Sequence, residues 1–302
     1  MKPPRVHESQ TPEALEAELA SSLDHRFVPP KFLYTSARQS ELWLELHQQC
    51  APTDYLGAPY LEAAPHLPKK IRSLVSLGCG GGEKEVSILD ALNRDIEFIP
   101  TDVSEPLAQT AAQLAQKGDI PTGTPLIFDL AAASNAAQFL HPHARQPRLF
   151  TFFGIIPNFP PSLILQQVRS LMGNDDYLLA SANLAPHGME PVLPQYDNLP
   201  TRRWLEQFLI EHEITGGSLQ IDIRRQNNLE WFQADYVLEV DTSTSIGGRH
   251  IEFKSGDALQ LFASHRYTPE SASAVFAEHG LHIEHTFLSE NREEGVFLCL
   301  PQ

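Results

Sequence analysis

The sequence predicts an α/β fold organised around a parallel sheet, and three observations predict it. A glycine run, GCGGGE at residues 78–83, follows the apolar stretch RSLVSL and precedes a helical segment. Short β-rich runs alternate with helical segments from residue 71 to residue 184, at spacings suited to βαβ units. Two final strand-like segments, GLHIEHTF and GVFLCL, flank the polar turn SENREE and read as an antiparallel hairpin added to the sheet.

Residues 11–26 read as a helix. PPKFLYTSARQSELWLELHQQ reads as a loop entering a second helix near Ser40, whose hydroxyl suits an N-cap. Residues 1–70 are therefore expected to form an N-terminal helical lid that belongs to a substrate domain. The core, 71–188, takes its strands from RSLVSLG, IEFIPTD, PLIFDL, RLFTFFG and YLLASANL. Its helices come from EKEVSILDALN, SEPLAQTAAQLAQ, the 131–141 region and PSLILQQVRSLM, whose apolar positions recur at helical spacing. Beyond Leu184 the alternation stops. SLQIDIRRQ, LEWFQADYVLEVD and RHIEFKSG have two-residue periodicity and QNN or GG punctuation, which predicts an antiparallel β insertion over 189–256 in a small α+β substrate or lid domain. Residues 257–302 then return to the core with the helix PESASAVFAEHG and the terminal hairpin.

Composition narrows the function classes. A length of 302 residues allows two domains, or one large core with additions, and 42% hydrophobic with 20% charged residues is ordinary for a folded chain. A formal net charge of -16 without a Lys/Arg cluster argues against nucleic acid and against an anionic membrane surface. Cys50, Cys79 and Cys299 are too scattered for a disulfide framework or a CxxC site, and no signal-type or membrane-spanning apolar run is present, so a cytoplasmic location is expected. Thirteen histidines include no HExxH pair, so no metal is expected.

The glycine loop carries the chemistry. Glycines after a parallel strand permit positive φ and let a ligand touch the backbone, while the following helix N-terminus favours a carboxylate or a phosphate. A dinucleotide fingerprint would need GxGxxG, whereas here Glu83 stands where the third small residue should be. Asp102, at the end of the second strand, lies 24 positions after Gly78, where a carboxylate can accept from ribose hydroxyls in either nucleotide reading. Asp129 and Leu130, at the end of the third strand, suit an adenine: the carboxylate accepts from the amino group and the apolar side chain packs on the ring.

Five parallel strands, a glycine loop after the first and a terminal hairpin form the layout of class I S-adenosylmethionine (SAM) methyltransferases, with a Rossmann-like sheet. With these residues placed, the chain from PPKFLY to the final hairpin resembles the histidine-specific SAM-dependent methyltransferase family. That family includes the enzyme that trimethylates the histidine amine in ergothioneine biosynthesis and fungal enzymes that methylate the amine of prenylated tryptophan. LGCGGGEK resembles the family's LGSGTSEK, which implies SAM contacts at Gly78, Gly80 and Lys84. PTDVS and FDL resemble its ribose and adenine elements and imply those roles for Asp102, Asp129 and Leu130. FFGIIPN resembles FLGSTIGN, implying a cofactor contact at Gly154 and a substrate contact at Asn158. QYDN resembles AYDD, which makes Tyr196 a contact to the substrate carboxylate or amine. LFASHRY places Ser264 on a substrate-binding serine, and KFLY places Tyr34 near the substrate.

Two departures shape the expected function. Between Gly154 and Asn158 the chain is one residue shorter than the family pattern. Phe262 falls where the histidine-methylating members have a glutamate that grips imidazole, and an apolar ring cannot supply that charge-assisted hydrogen bond. Trp231, beside Phe232, is expected to meet the substrate from the insertion. The resemblance thus implies SAM-dependent methylation of the nitrogen of a small amine or amino-acid-like molecule other than histidine, with no catalytic base named. Three alternatives stay open: a SAM-binding protein without turnover, a transferase of another SAM-derived group, and an NAD-dependent oxidoreductase.

Overall fold

The computed structural model describes residues 2–50, 57–227 and 229–302. The chain forms two compact units, one from Met1–Thr11, Leu56–Pro186 and Tyr267–Gln302, the other from Pro12–Tyr55 and His187–Arg266.

The first unit is built on an eight-stranded sheet. In spatial order its strands are Arg5–Val6, Leu126–Ile127, Glu97–Asp102, Ser73–Leu77, Arg148–Phe152, Tyr177–Asn183, Glu294–Pro301 and Leu281–Leu288. The first six run parallel and the last two are the antiparallel terminal hairpin. Chain order reverses between Ser73–Leu77 and Arg148–Phe152, so the crevice outside their carboxyl ends is a topological switch point, where open α/β sheets bind ligands. Leu74, Val75, Phe98, Ile99, Leu149 and Phe150 are fully buried in the central strands, each stabilising by roughly 1.5–3 kcal/mol.

Helix Glu105–Lys117 turns Ala108, Ala111, Ala112 and Ala115 to the core, all fully buried, and these small side chains let it sit close to its neighbours. At the start of its strand, Arg148 forms a buried ion pair with Asp176, with guanidinium-to-carboxylate distances of 3.0 and 2.6 Å and a further bond from the Arg148 backbone N–H at 2.8 Å. Asp176→Ala would leave that guanidinium buried without its partner. A loss of about 3–5 kcal/mol is expected, read from the urea midpoint.

In the second unit a three-stranded antiparallel sheet, ordered Ala258–Arg266, Leu229–Leu238, Gly217–Gln226, packs one face against a core shared with helices Pro12–Asp24 and Leu199–Glu211. A separate hairpin pairs Thr242–Ile246 with Arg249–Phe253. Ala258–Arg266 carries a register shift between Gln260 and Phe262.

The unit boundaries differ from the expected ones. Ala258–Arg266 pairs along its whole length with Leu229–Leu238, so the return to the sheet comes at Tyr267 rather than at residue 257. Arg5–Val6 and helix Ala58–Ala63 belong to the first unit rather than to a lid. The helix expected over 131–141 contracts to Ala136–Leu140, and the second helix begins at Ala37, ahead of Ser40. No helix among the described residues is long and apolar enough to cross a membrane.

Candidate functional site

The glycine run is not explained by a single cause. Gly78 has φ +70° and faces the Ile155 side chain, while Gly82 has φ +80° and a Cβ there would lie 2.7 Å from the Ala111 Cβ. These two are required by the fold of the loop and its packing. Gly80 is different: its φ is +51° and a Cβ there would meet nothing within 4 Å. Gly154, at the end of the neighbouring central strand, has φ +72° and the same open surroundings. Two bare stretches of main chain thus border the switch point with space beside them, and helix Glu83–Leu92 starts directly after the first.

Asp102 ends its strand with the carboxylate turned back on this loop, accepting from Gly80 N–H at 3.0 Å and from Ser104 N–H at 2.9 Å. Burial pushes its pKa up to about 6, against the downward pull of the Ser104, Gly80 and Val103 backbone hydrogen bonds. Asp129 follows the neighbouring strand, whose Ile127 pairs with Asp102, and accepts from Ala131 N–H at 2.8 Å. Each carboxylate is therefore held by the N–H two residues ahead and keeps lone-pair capacity for further donors. Leu130 is half-buried beside Asp129. A gap beside Gly80 and two oriented carboxylates fit a ligand with an amino-acid end and a nucleoside end, the arrangement that SAM requires.

Lys84 has an extensive setting of its own. Its ammonium donates to the Tyr60 hydroxyl at 2.8 Å, lies 4.2 Å from the centroid of that ring and stands 3.9 Å from Glu294. Tyr60 donates in a short bond to Glu294, and its ring meets Phe153 edge-on at 4.8 Å. Burial lowers the Lys84 pKa and raises that of Tyr60. Ser181 accepts from Gly154 N–H at 2.9 Å and anchors the second open glycine. Asn158 ends the 3-10 turn Ile156–Asn158, half-buried, with its N–H bonded to Ile155 O at 2.9 Å.

Sequence reasoning missed Tyr60, Glu294 and Glu85. Glu85 is buried beneath the loop, accepting from the hydroxyls of Ser76 at 2.6 Å and Thr151 at 3.1 Å in two adjacent strands. A signal was present in the sequence: two hydroxyl residues inside strands that are otherwise mostly apolar. Burial raises the Glu85 pKa, so its contribution to stability is full below the unfolded carboxylate value of about 4.5 and is lost as pH rises through the folded value. Glu85→Gln is accordingly expected to match the parent in thermal stability near pH 4 and exceed it near pH 8, measured by scanning calorimetry.

In the second unit, Tyr196, Phe262 and Ser264 come together on the core face of the sheet. The Tyr196 hydroxyl is 2.8 Å from Ser264 Oγ, and its ring stacks on Phe232 at 4.1 Å and on Phe262 at 6.2 Å. Phe262 meets Trp204 edge-on at 5.6 Å, and Trp204 in turn packs on Tyr34 at 5.4 Å. Burial raises the Tyr34 pKa. Arg266, which the sequence did not single out, donates to the Tyr196 hydroxyl from Nη2 at 3.0 Å and Nε at 3.3 Å. Trp231 is elsewhere. Successive strand residues alternate faces, so Phe232 occupies the inner position while Trp231 stacks on His265 at 5.5 Å on the opposite face. Among the described residues no group of three or more His, Cys, Asp or Glu is placed to hold a metal ion.

Sequence comparison with curated proteins gives no match. Among solved structures the mitomycin 7-O-methyltransferase MmcR superposes with a TM-score of 0.52 at 12% identity, covering 97% of this chain and 70% of that one. A 1,6-didemethyltoxoflavin N1-methyltransferase from Burkholderia thailandensis, solved with S-adenosylhomocysteine, gives a TM-score of 0.48 at 10% identity, with 91% of each chain covered. The former likeness shows the fold, that of class I SAM methyltransferases. The profile of the histidine-specific, SAM-dependent methyltransferases matches residues 15–301. A match over nearly the whole length, on a sheet whose switch point carries the open glycine loop, shows that this chain belongs to the histidine-specific SAM-dependent methyltransferase family.

Proposed function

We propose that this methyltransferase acts on the nitrogen of a small amine or amino-acid-like acceptor other than histidine. The observation that carries the reading is Phe262. It packs between Trp204 and Tyr196 on the face that also holds Ser264, so the position presents an aromatic ring where an imidazole would need a carboxylate. Gly78, Gly80, Lys84, Asp102, Asp129, Leu130 and Gly154 are the residues assigned to the cofactor. Asn158, Tyr196 and Ser264, with Tyr34 and Phe262, are assigned to the acceptor.

Bound SAM supplies a methyl group on a cationic sulfur that departs as a neutral thioether. For the protein the task is alignment and exclusion of water. The turn around Gly154 is held by Ser181, and the backbone at Gly80 is held by Asp102, so both stretches of main chain are set before a ligand arrives. The acceptor nitrogen must be unprotonated to attack, which favours turnover as pH rises toward the pKa of the amine.

Incubation of the purified protein with methyl-labelled SAM and a panel of amines and amino acids tests the reading. Label on nitrogen of an acceptor other than histidine is expected. Label confined to oxygen or carbon acceptors, or histidine as the preferred acceptor, would overturn it.

A further inference from the structure

We infer that Glu85 is a positioning residue: by bridging Ser76 and Thr151 it holds the two open glycine stretches at the spacing the cofactor needs. This rests on the cofactor assignment of the methyltransferase reading above and deepens it. Glu85 is 3% exposed, so it acts through the main chain that borders the crevice and not on a ligand.

The place of the bridge in the sheet carries the inference. Strands Ser73–Leu77 and Arg148–Phe152 pair in parallel from Ser73 opposite Arg148 to Ser76 opposite Thr151, their last paired rung. Beyond it the two chains part, one into Gly78 and Gly80, the other into Gly154. A single oxygen of Glu85, Oε1, accepts from both hydroxyls of that rung, from Ser76 at 2.6 Å and from Thr151 at 3.1 Å. Glu85 stands in the first turn of helix Glu83–Leu92, so the same contact fixes the start of the helix against both strands. The N-cap of that helix is Gly82, which has no side chain with which to hold the loop. The next strand joins through Ser76, whose carbonyl accepts from the Thr101 hydroxyl at 2.7 Å, directly before Asp102.

Stability alone does not call for a carboxylate here. Burial strips it of hydration that two hydroxyls replace only in part, and a well-packed apolar side chain would hold the fold as well. An apolar contact is non-directional, however, and lets its neighbours slide. Hydrogen bonds to one oxygen fix the donor distances within a few tenths of an ångström. Loss of the bridge should therefore be felt at the glycines more than in the stability of the fold.

Calorimetric titration of S-adenosylhomocysteine into the full chain at pH 8, paired with thermal unfolding, tests this. Glu85→Gln keeps an oxygen for both hydroxyls, so it is expected to bind within about twofold of the parent and to unfold at a higher temperature. The triple variant Ser76→Ala/Glu85→Leu/Thr151→Val removes the bridge and leaves no hydroxyl unmet. It is expected to unfold no earlier than the parent and yet to bind at least about tenfold more weakly, a split between stability and affinity that a merely structural role would not produce. Ser76→Ala, which takes away the shorter arm alone, should weaken binding by about fivefold and decides the matter if the triple variant does not fold. Undiminished affinity in the folded variants, or a loss in Glu85→Gln as large as in the triple variant, would overturn the inference while leaving the cofactor reading intact. Failure of the parent to bind S-adenosylhomocysteine would overturn both.

Discussion

Asp102→Ala is expected to weaken S-adenosylhomocysteine binding by about 100-fold or more, measured by calorimetry at pH 8. A hydrogen bond to an ionised group contributes roughly 1.5–3 kcal/mol, and a ribose offers two hydroxyls to one carboxylate. The substitution also releases Gly80 N–H from the carboxylate that holds it at 3.0 Å, so the nucleoside and amino-acid ends should both be affected. A pH dependence accompanies it. Burial pushes the Asp102 pKa up to about 6 in the folded protein, and hydroxyl donors favour the ionised form. Binding should therefore release a proton below about pH 6, and affinity should fall as pH drops through that value while staying level above it. Asp102→Asn should remove this dependence. For the apo protein the sign is reversed: a carboxyl with a raised pKa stabilises most at low pH, and its contribution is lost as pH rises from about 3.8 to about 6. Unchanged affinity in Asp102→Ala would take this residue out of the site.

The second large effect is expected in specificity. Phe262→Glu places a carboxylate among Trp204, Tyr196 and Ser264, where a histidine acceptor would gain a charge-assisted hydrogen bond. Methylation of histidine should rise by roughly 10–100-fold in kcat/KM, and turnover of the parent acceptor should fall, because an ionised group then replaces the apolar ring of Phe262. The cost is stability: Phe262 is half-buried against the core of its unit, and a carboxylate there is expected to destabilise by about 1–3 kcal/mol. Thermal unfolding distinguishes this from misfolding. A folded variant that binds S-adenosylhomocysteine yet shows no gain with histidine would show that Phe262 is not the discriminating residue.

Much of the fold was legible because its signals are local. The apolar strands around the glycine run, the alternation of helix and strand, and the closing hairpin all appear where periodicity and turn residues put them. Asp102 and Asp129 were legible for the same reason, since a carboxylate at the end of a parallel strand is a statement about position along one segment. Other elements were hidden. Arg5–Val6 is two residues long, too short for any periodicity. Helix Leu199–Glu211 does carry a local signal, a proline in its first turn after Asn198, whose side chain caps Thr201 N–H at 2.9 Å.

By itself, then, the sequence determined the class of sheet, the place of the glycine loop and the family, because each depends on the order of neighbouring residues. Tertiary structure alone decided which side chains meet. Tyr60 and Glu294 are 234 residues apart, and nothing in either segment announces the other. The register shift between Gln260 and Phe262 inserts one residue into the strand, and that extra residue carries Phe262, Ser264 and Arg266 onto the face of Tyr196 and Phe232. A bulge of this kind has no period to betray it. It is selected by how the whole unit packs, and with it the set of groups an acceptor would touch.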